Sequence, residues 1–551
     1  MEEYDSIVIG SGAGGLSAAL CLAREGQKVL VLEQHDVPGG WCHSFTLNGQ
    51  RFSPGVHYIG LLDEGQSTNL LYRGLGISND LVFFRMNKTG YDHCIIGDYK
   101  FDYPAGIDNL KNKLVKGFPE EEKNIIKYLQ LIEKVNYELQ LIPKLKGTWQ
   151  KLTAPFRTKH FGKFALFSLK RVINWHIKNP KLKAILNAQC GDHGLPPEKA
   201  SFPVHCSVMN HYFDGGFYPM GGGSGIVKAM TNKIKSYGGV IKTKQRVKRI
   251  LIEKNKAYGV ELENNQKLIA KNILSNADPS TTYLELIGRE FCSKKLLKKV
   301  DKTVYSVTSL ILFLTLDVDV TKYGIDSGNI WKYKDDDIDF HFETLTKGDV
   351  LAGDEFPALF ISCTTLKDPA SYNGRYHNFE MVTYVDFDSF KEFKGNIDYQ
   401  SPKYESFKKR IIEKFLNTIE KIIPPAKKHI VQVELGTPKT NQYYINSTRG
   451  NVYGTEKSFW QLGPFTYKNK TEIENLFLCG ASTLSHGVTG ATYSGVEAAA
   501  AVLNCESEEL LIDRNSKKID IFDAENPSTW SAYIHKKRED KRRSFKEINT
   551  T

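Results

Sequence analysis

Several features are missing from this 551-residue chain, and each absence narrows its function. No run approaches the ~18 consecutive apolar residues that a membrane-crossing helix needs. The nine cysteines (Cys21, Cys42, Cys94, Cys190, Cys206, Cys292, Cys363, Cys479 and Cys505) include no C-x-x-C and no His/Cys grouping at metal-ligand spacing. Neither a disulfide frame nor a metal site is expected; buried thiols in a reducing compartment are. No G-x-S-x-G elbow and no H-E-x-x-H pattern is present, which argues against serine or zinc hydrolysis. A strand opening at Tyr4 leaves no signal peptide, so the expected location is cytoplasmic, with or without attachment to a membrane. With 41% hydrophobic and 25% charged residues, the composition is that of a soluble globular protein, long enough for two or three domains.

What is present begins at once. Tyr4-Asp-Ser-Ile-Val-Ile9 reads as a strand, Gly10-Ser11-Gly12-Ala13-Gly14-Gly15 as a turn into an apolar helix, and Lys28-Val-Leu-Val-Leu32 as a second strand ending on Glu33. A dinucleotide-binding βαβ unit requires that order. Gly10 permits the tight turn, Gly12 lets backbone approach a pyrophosphate, and Gly15 lets the helix pack closely on the strand. Unpaired N–H groups and the dipole at the helix N-terminus favour phosphate. Glu33, at about the usual ~20-residue spacing, can accept hydrogen bonds from a ribose.

FAD suits the following residues better than NAD. Gln34 and His35 offer no guanidinium for a 2′-phosphate, and Gly39-Gly40 allows a second close backbone approach that simple NAD enzymes do not need. Far along the chain, Asn475 to Gly480 reads as a buried strand. A Gly-rich turn with His486, Gly487, Val488, Gly490 and Ala491 follows, and then a helix through Val496–Ala501. A strand delivered to a helix N-terminus is a second place for phosphate, ribityl oxygens or the flavin edge. Cys479 beside it reads as a small residue closing a buried strand rather than a covalent attachment point.

Three stretches together resemble the FAD-dependent phytoene desaturase, carotenoid isomerase and retinol saturase family, and its retinol saturase members in particular. They are Leu32–His35 through Pro38-Gly39-Gly40 to Gly55-Val56-His57-Tyr58-Ile59-Gly60; Gly191-Asp-His-Gly-Leu-Pro-Pro197 with Asn210-His-Tyr212 and Gly215 to Gly223; and Gly480 to Ala500. The middle stretch is the most specific because it lies outside the cofactor motifs. The likeness covers most of residues 1–505. Two departures are a first strand at Tyr4, where animal members carry a hydrophobic leader, and Gly221-Gly-Gly-Ser224, where the family often has two glycines and a serine. The resemblance implies FAD, an apolar isoprenoid or polyene substrate, and a backbone contact from Val247 to the adenine.

The expected fold is α/β: a discontinuous Rossmann-like FAD-binding domain (1–75, 222–285 and 460–505) with an α+β substrate domain (76–221 and 286–459) of mixed sheet and helical cap. Strands are predicted at Ser309–Leu316, Ala358–Ser362 and Met381–Val385, with short hairpin-like strands between 238 and 278. Helices are predicted at about 121–141 and 403–421. Residues 506–551 read as a basic C-terminal tail, whose stretch from Lys536 to Lys546, with Lys536-Lys-Arg538 and Lys541-Arg-Arg543, reads as a solvated or disordered end rather than an anchor.

A flavin exchanges a hydride, so saturating a C=C bond further requires a protein acid, an apolar slot and exclusion of water. His57 is the first candidate acid, with Tyr58 and His486 beside it; His193, His205, His211 and Tyr218 are candidates for the slot. No second G-x-G-x-x-G unit would hold a nicotinamide, so NAD(P)H is expected only as an external electron donor. Carotenoid desaturation or isomerisation uses the same parts. A flavin amine oxidase shares the scaffold, and the Gly191–Gly223 stretch argues against it.

Net charge is +11, and between Lys144 and Lys183 basic residues interleave with Trp149, Phe156, Phe161, Phe164, Phe167 and Trp175. This suits either an amphipathic helix pair or peripheral contact with a membrane surface. A nucleic acid partner is not expected. The segment also admits a rival of another class, a lipid-surface binding protein carrying FAD as a structural element. The sequence leaves the oligomeric state open.

Overall fold

The computed structural model of the chain describes residues 3–145, 147–393, 401–513 and 516–550. Its first sheet gathers both ends of the nucleotide-binding sequence. The strand Glu3–Ile9 runs parallel to Val29–Leu32 on one side and to Lys267–Ser275 on the other. Val240–Lys242 extends the sheet past Val29–Leu32, and Leu476–Leu478 joins Lys267–Ser275 in parallel. Val247–Glu253, Lys256–Leu262 and Lys267–Ser275 form an antiparallel meander. All four residues of Val29–Leu32 are buried, as a parallel strand covered on both faces must be.

The helix Ala13–Arg24 covers this sheet beside Gly487–Leu503. A Cβ on Gly495 would lie 2.0 Å from the Gly14 carbonyl oxygen, so only glycine permits this approach. Ser17 Oγ donates to the Thr492 carbonyl at 2.8 Å and ties the two helices together. The second helix starts at Gly487, well before the Val496 core that marks it in the sequence.

The second sheet has seven strands in the order Ile430–Gly436, Thr308–Leu316, His377–Val385, Ala358–Cys363, Asn329–Tyr333, Asp92–Ile96 and Tyr99–Tyr103. Its strand Thr308–Leu316 is buried at all nine positions. The sheet is mixed because Asp92–Ile96 runs parallel to Asn329–Tyr333 while its other pairings are antiparallel. Helices form at Glu122–Leu141 and Pro402–Ile422, within a residue of the predicted spans.

One expectation needs correction and another is extended. The stretch Lys536–Lys546 lies in the helix Ala532–Thr550 with its side chains exposed or half-buried, but the segment before it is docked: Asp520–Asp523 pairs in parallel with Val82–Arg85, which pairs in turn with Phe217–Pro219. Trp530 and Ile534 are buried, and Trp530 Nε1 donates to the Asp523 carbonyl at 2.7 Å. A few apolar anchors outweigh the basic residues around them, which stay at the surface. Segment 144–183 is not a pair of amphipathic helices but a string of short ones, Thr148–Leu152, Ala154–Arg157, Lys159–Phe164 and Leu169–His176.

Candidate active site

One cavity joins the two sheets. At one end it is lined by Gly10, Ser11, Gly12, Ala13 and Gly14, then by Glu33, Gln34, Gly39, Gly40 and Val247. Gly480, Gly487, Val488 and Ala491 line it too, as do His57, Tyr58 and Asp192. The far end is walled by the second sheet through Ile311, Trp331, Leu359, Phe360 and Tyr384. Gly15 and Gly490 stand behind this surface. A Cβ on Gly15 would lie 2.1 Å from the Gly10 carbonyl oxygen and one on Gly490 2.7 Å from Ser485 Cβ, so both glycines serve packing.

The near end forms a cradle for an anionic dinucleotide. Gly10 takes φ +89° and Gly480 φ +100°, conformations that side-chain-bearing residues rarely adopt. A Cβ on Gly14 would lie 2.8 Å from the Gly480 amide nitrogen, which sets how closely the two loops approach. Neither the helix starting at Ala13 nor the one starting at Gly487 has a side-chain cap, so the N–H groups of both first turns are free for a ligand. Glu33 is buried; its Oε2 accepts from the Ser11 amide at 2.9 Å and its Oε1 from the His35 amide at 2.9 Å. It therefore holds the loop as well as edging the cavity. Asn276, whose side chain lies against Gly12, Gly14 and Gly480, also lines the cavity, a role the sequence does not announce. Cys479 is a buried thiol that burial pushes up to about 12, hence an unreactive strand residue. These donors and glycines fit a flavin dinucleotide.

The predicted histidines separate. His57 lines the cavity with Nδ1 3.1 Å from Glu380 Oε2, and its ring packs against Phe360. His486 does not line it. Its Nε2 donates to the Asp192 carbonyl at 2.9 Å while Nδ1 is buried without a partner, and burial, with Lys457 nearby, pulls its pKa down to about 4. The slot candidates also lie elsewhere. His193 and His205 are buried against each other, and desolvation keeps both neutral. His211 Nε2 accepts from the Gly60 amide at 2.9 Å, and Tyr218 is buried in the short strand Phe217–Pro219. Helical and strand burial, rather than a cavity wall, accounts for these four.

Beneath the cavity floor lies a buried polar cluster that sequence reasoning missed. Lys367, fully buried, donates from Nζ to the His57 carbonyl at 2.8 Å, to Ser362 Oγ at 2.7 Å and to Asn329 Oδ1. Burial pulls its pKa toward about 7. Asp92 and Glu380 nearby oppose that fall and favour the ammonium, whose three N–H donors match the three partners; the Ser362 hydroxyl can also donate to a neutral amine. Asn329 Nδ2 donates to Asp92 Oδ1 at 2.7 Å and Gln189 Nε2 to Asp92 Oδ2 at 2.6 Å. Burial raises Asp92 to about 6 against these bonds, and the nearby Lys367 opposes the rise. Tyr58 Oη lies 3.2 Å from Asp92 Oδ2 and 2.7 Å from Asp192 Oδ2. Of these residues two carried a sequence signal, Tyr58 as a candidate acid and Asp192 through its place in the Gly191–Pro197 stretch.

Comparison with known proteins places the chain. The family model described as flavin containing amine oxidoreductase matches residues 13–503. All-trans-retinol 13,14-reductase of Danio rerio is 30% identical over 91% of this chain and 86% of its own length, and the Homo sapiens protein of that name is 29% identical over the same shares. Prolycopene isomerase 1, chloroplastic, of an Oncidium hybrid cultivar is 27% identical over 93% of this chain and 86% of its own. An oxidoreductase from Methanosarcina mazei shares the fold with a TM-score of 0.60 at 17% identity, over 91% of this chain and all of the other. Putrescine oxidase bound to putrescine does so with a TM-score of 0.61 at 12% identity, over 91% and 99%. With both uncapped helix starts, at Ala13 and Gly487, and the Gly39-Gly40 and Gly480 loops falling inside the matched span, the chain belongs to the flavin containing amine oxidoreductase family and is a flavin-dependent oxidoreductase.

Proposed function

We propose that the chain binds its flavin as FAD and saturates a C=C bond of a retinoid- or carotenoid-type isoprenoid. One observation carries the reading: a single cavity connects the dinucleotide cradle to a slot walled by Ile311, Trp331, Phe342, Leu345, Leu359 and Phe360. A long apolar chain would gain roughly 25 cal/mol per Å² buried in such a slot. Gly10–Gly14 and Gly480–Val488 would hold the pyrophosphate and flavin side, Glu33 a ribose and Val247 the adenine. Bound there, the flavin supplies a hydride. The chain's residues supply the rest: the aromatic wall orients the polyene and keeps water out, and the polar floor under His57 and Tyr58 holds protons in place. An external NAD(P)H is the proposed electron donor. The prolycopene isomerases among the relatives make isomerisation of a polyene the second reading.

The test is direct. FAD is bound and reduced anaerobically, and retinol, a carotene or phytoene is then added. Reoxidation with a product two hydrogens heavier is expected. Flavin left reduced by all three polyenes would overturn the substrate class, while product of unchanged mass would favour isomerisation.

We propose further that segment 144–183 rests on a lipid surface from which such a substrate is drawn. Trp149, Leu152, Phe156 and Leu166 are 72%, 67%, 82% and 67% exposed, and Lys144, Arg157, Lys159, Lys163, Lys170, Arg171 and Lys178 lie among them in sequence. Aromatic wedges ringed by cations suit an anionic interface. No helix of the described residues is long and apolar enough to cross a membrane. Co-sedimentation with vesicles containing anionic lipid is expected, and Phe156→Glu with Trp149→Glu should abolish it. Equal binding by the double variant would refute this surface.

A further inference from the structure

We propose that Asp192 is the proton donor of this site, held as the neutral acid by a hydrogen-bonded row that runs through Tyr58 to the carboxylate of Asp92. The proposal rests on the C=C reduction reading above and adds a residue to it.

Position comes first. Gly191 and Asp192 lie in the short helical turn Ala188–His193, at the joint between the two sheets. Trp331 packs so closely on Gly191 that a Cβ there would lie 2.4 Å from its ring. Tyr384 donates its hydroxyl to the Gly191 carbonyl, and His486 Nε2 donates to the Asp192 carbonyl at 2.9 Å. The backbone is thus held by three contacts while Asp192 lines the cavity that Gly487 also lines.

A count of protons then assigns the charge. Tyr58 Oη has one hydrogen and two carboxyl neighbours, Asp92 Oδ2 at 3.2 Å and Asp192 Oδ2 at 2.7 Å. Two carboxylates would share that single hydrogen and repel each other in a buried site, which favours a proton on one of them. Asp92 already accepts from Asn329 and Gln189, and Lys367, linked to it through Asn329, favours its anion. Asp192 has no such support: among the described residues no Lys or Arg pairs with it. Asp192 is therefore the neutral partner, donating to Tyr58, which donates to Asp92. Burial, with Asp92 nearby, lifts Asp192 to about 8. The other titratable groups facing it are His486, kept neutral by burial, and the buried phenols Tyr212, Tyr384 and Tyr453.

In the step itself, the O–H bond of Asp192 breaks and its proton forms a C–H bond at one alkene carbon. A reduced flavin held by the glycine cradle would supply the hydride for the neighbouring carbon, and an external nicotinamide-type reductant would recharge it. As Asp192 becomes an anion, the Tyr58 hydrogen can turn from Asp92 toward it across 2.7 Å, so the new charge meets a placed donor. Asp92 keeps its two amide donors. Water reprotonates Asp192 after the product leaves.

The experiment uses holoenzyme and has a readout independent of turnover. Infrared difference spectra at pH 7 should show a neutral carboxyl C=O band that shifts in D2O, fades as the pH is raised and disappears in Asp192→Asn. In the same variant kcat should fall at least ~100-fold with KM within about threefold, and Asp192→Glu should recover part of it. A band that survives in Asp192→Asn, or turnover within about twofold of wild type, overturns the proposal. Should Asp192→Asn fail to fold, Tyr58→Phe decides through the same band: a shifted band supports the row, and an unmoved one refutes it. Wild-type flavin that no polyene reoxidises would instead sink the substrate reading, with the infrared band still reporting on Asp192.

Discussion

Replacing Lys367 by Met tests whether the floor of the cavity is held by a charge. The side chain is fully buried, and Met keeps much of its length while removing every donor. Asp92 would then be a buried carboxylate without its cation, and the His57 carbonyl would lose its 2.8 Å partner. Breaking a direct buried ionic pair by removing one member costs about 3–5 kcal/mol, which is the upper limit here because Asn329 stands between Lys367 and Asp92. An unfolding entropy of about 2.1 cal/mol/K per residue gives about 1.2 kcal/mol/K for a chain of this size, so Tm should fall by up to about 2–4 °C if the chain melts as one unit. The fall should be roughly twice that if only the half carrying the second sheet melts. The sharper measurement is a cycle with Asp92→Asn, which removes the carboxylate that Lys367 compensates. By calorimetry or urea unfolding, the double variant should be at least ~1.5 kcal/mol more stable than the sum of the singles predicts. Effects that add within ~0.5 kcal/mol, or a single Lys367→Met cost below ~1 kcal/mol, would refute the assignment of charge in this cluster.

Other outcomes follow from single contacts. Gly495→Ala, with its methyl 2.0 Å from the Gly14 carbonyl, should part the two helices and weaken FAD binding at least ~10-fold in flavin titrations, at a cost of about 1–3 kcal/mol. Asp192 binds its proton more tightly folded than unfolded, so the stability it contributes is present below about pH 4 and is lost as pH rises toward its folded value of about 8. Between those limits Asp192→Asn should remove up to ~1.4 kcal/mol per pH unit from the wild-type slope, read as the difference in Tm at pH 5 and pH 8. Trp530→Ala removes a buried anchor of the C-terminal segment; a loss of about 3–5 kcal/mol and earlier proteolytic cleavage within 520–550 are expected.

The nucleotide-binding half was legible because its constraints are local. Gly10, Gly12 and Gly15 each answer a backbone requirement, and alternating or continuous apolar runs mark strands such as Thr308–Leu316. Periodicity likewise placed Glu122–Leu141 and Pro402–Ile422 to within a residue. The polar floor was not legible because its members come from separate strands and turns, at 58, 92, 189, 192, 329 and 367, and meet only when the second sheet assembles. Nothing local distinguishes Lys367 from the other lysines. The histidines misled for the converse reason. His193 stands between glycines in a specific stretch and His205 follows it in the helix Phe202–Tyr212, yet desolvation rather than chemistry explains them. The docked tail escaped notice because four strand residues and two apolar anchors are too sparse to stand out among its charges.

The short strand Leu476–Leu478 completes a sheet whose other members all lie before residue 276. During synthesis, that gap must wait until nearly five hundred residues have left the ribosome. The cradle's second loop, beginning at Gly480, emerges later still. Flavin capture is thereby a late event in the life of the nascent chain, and ribosome-stalled fragments ending before this strand should emerge without yellow colour.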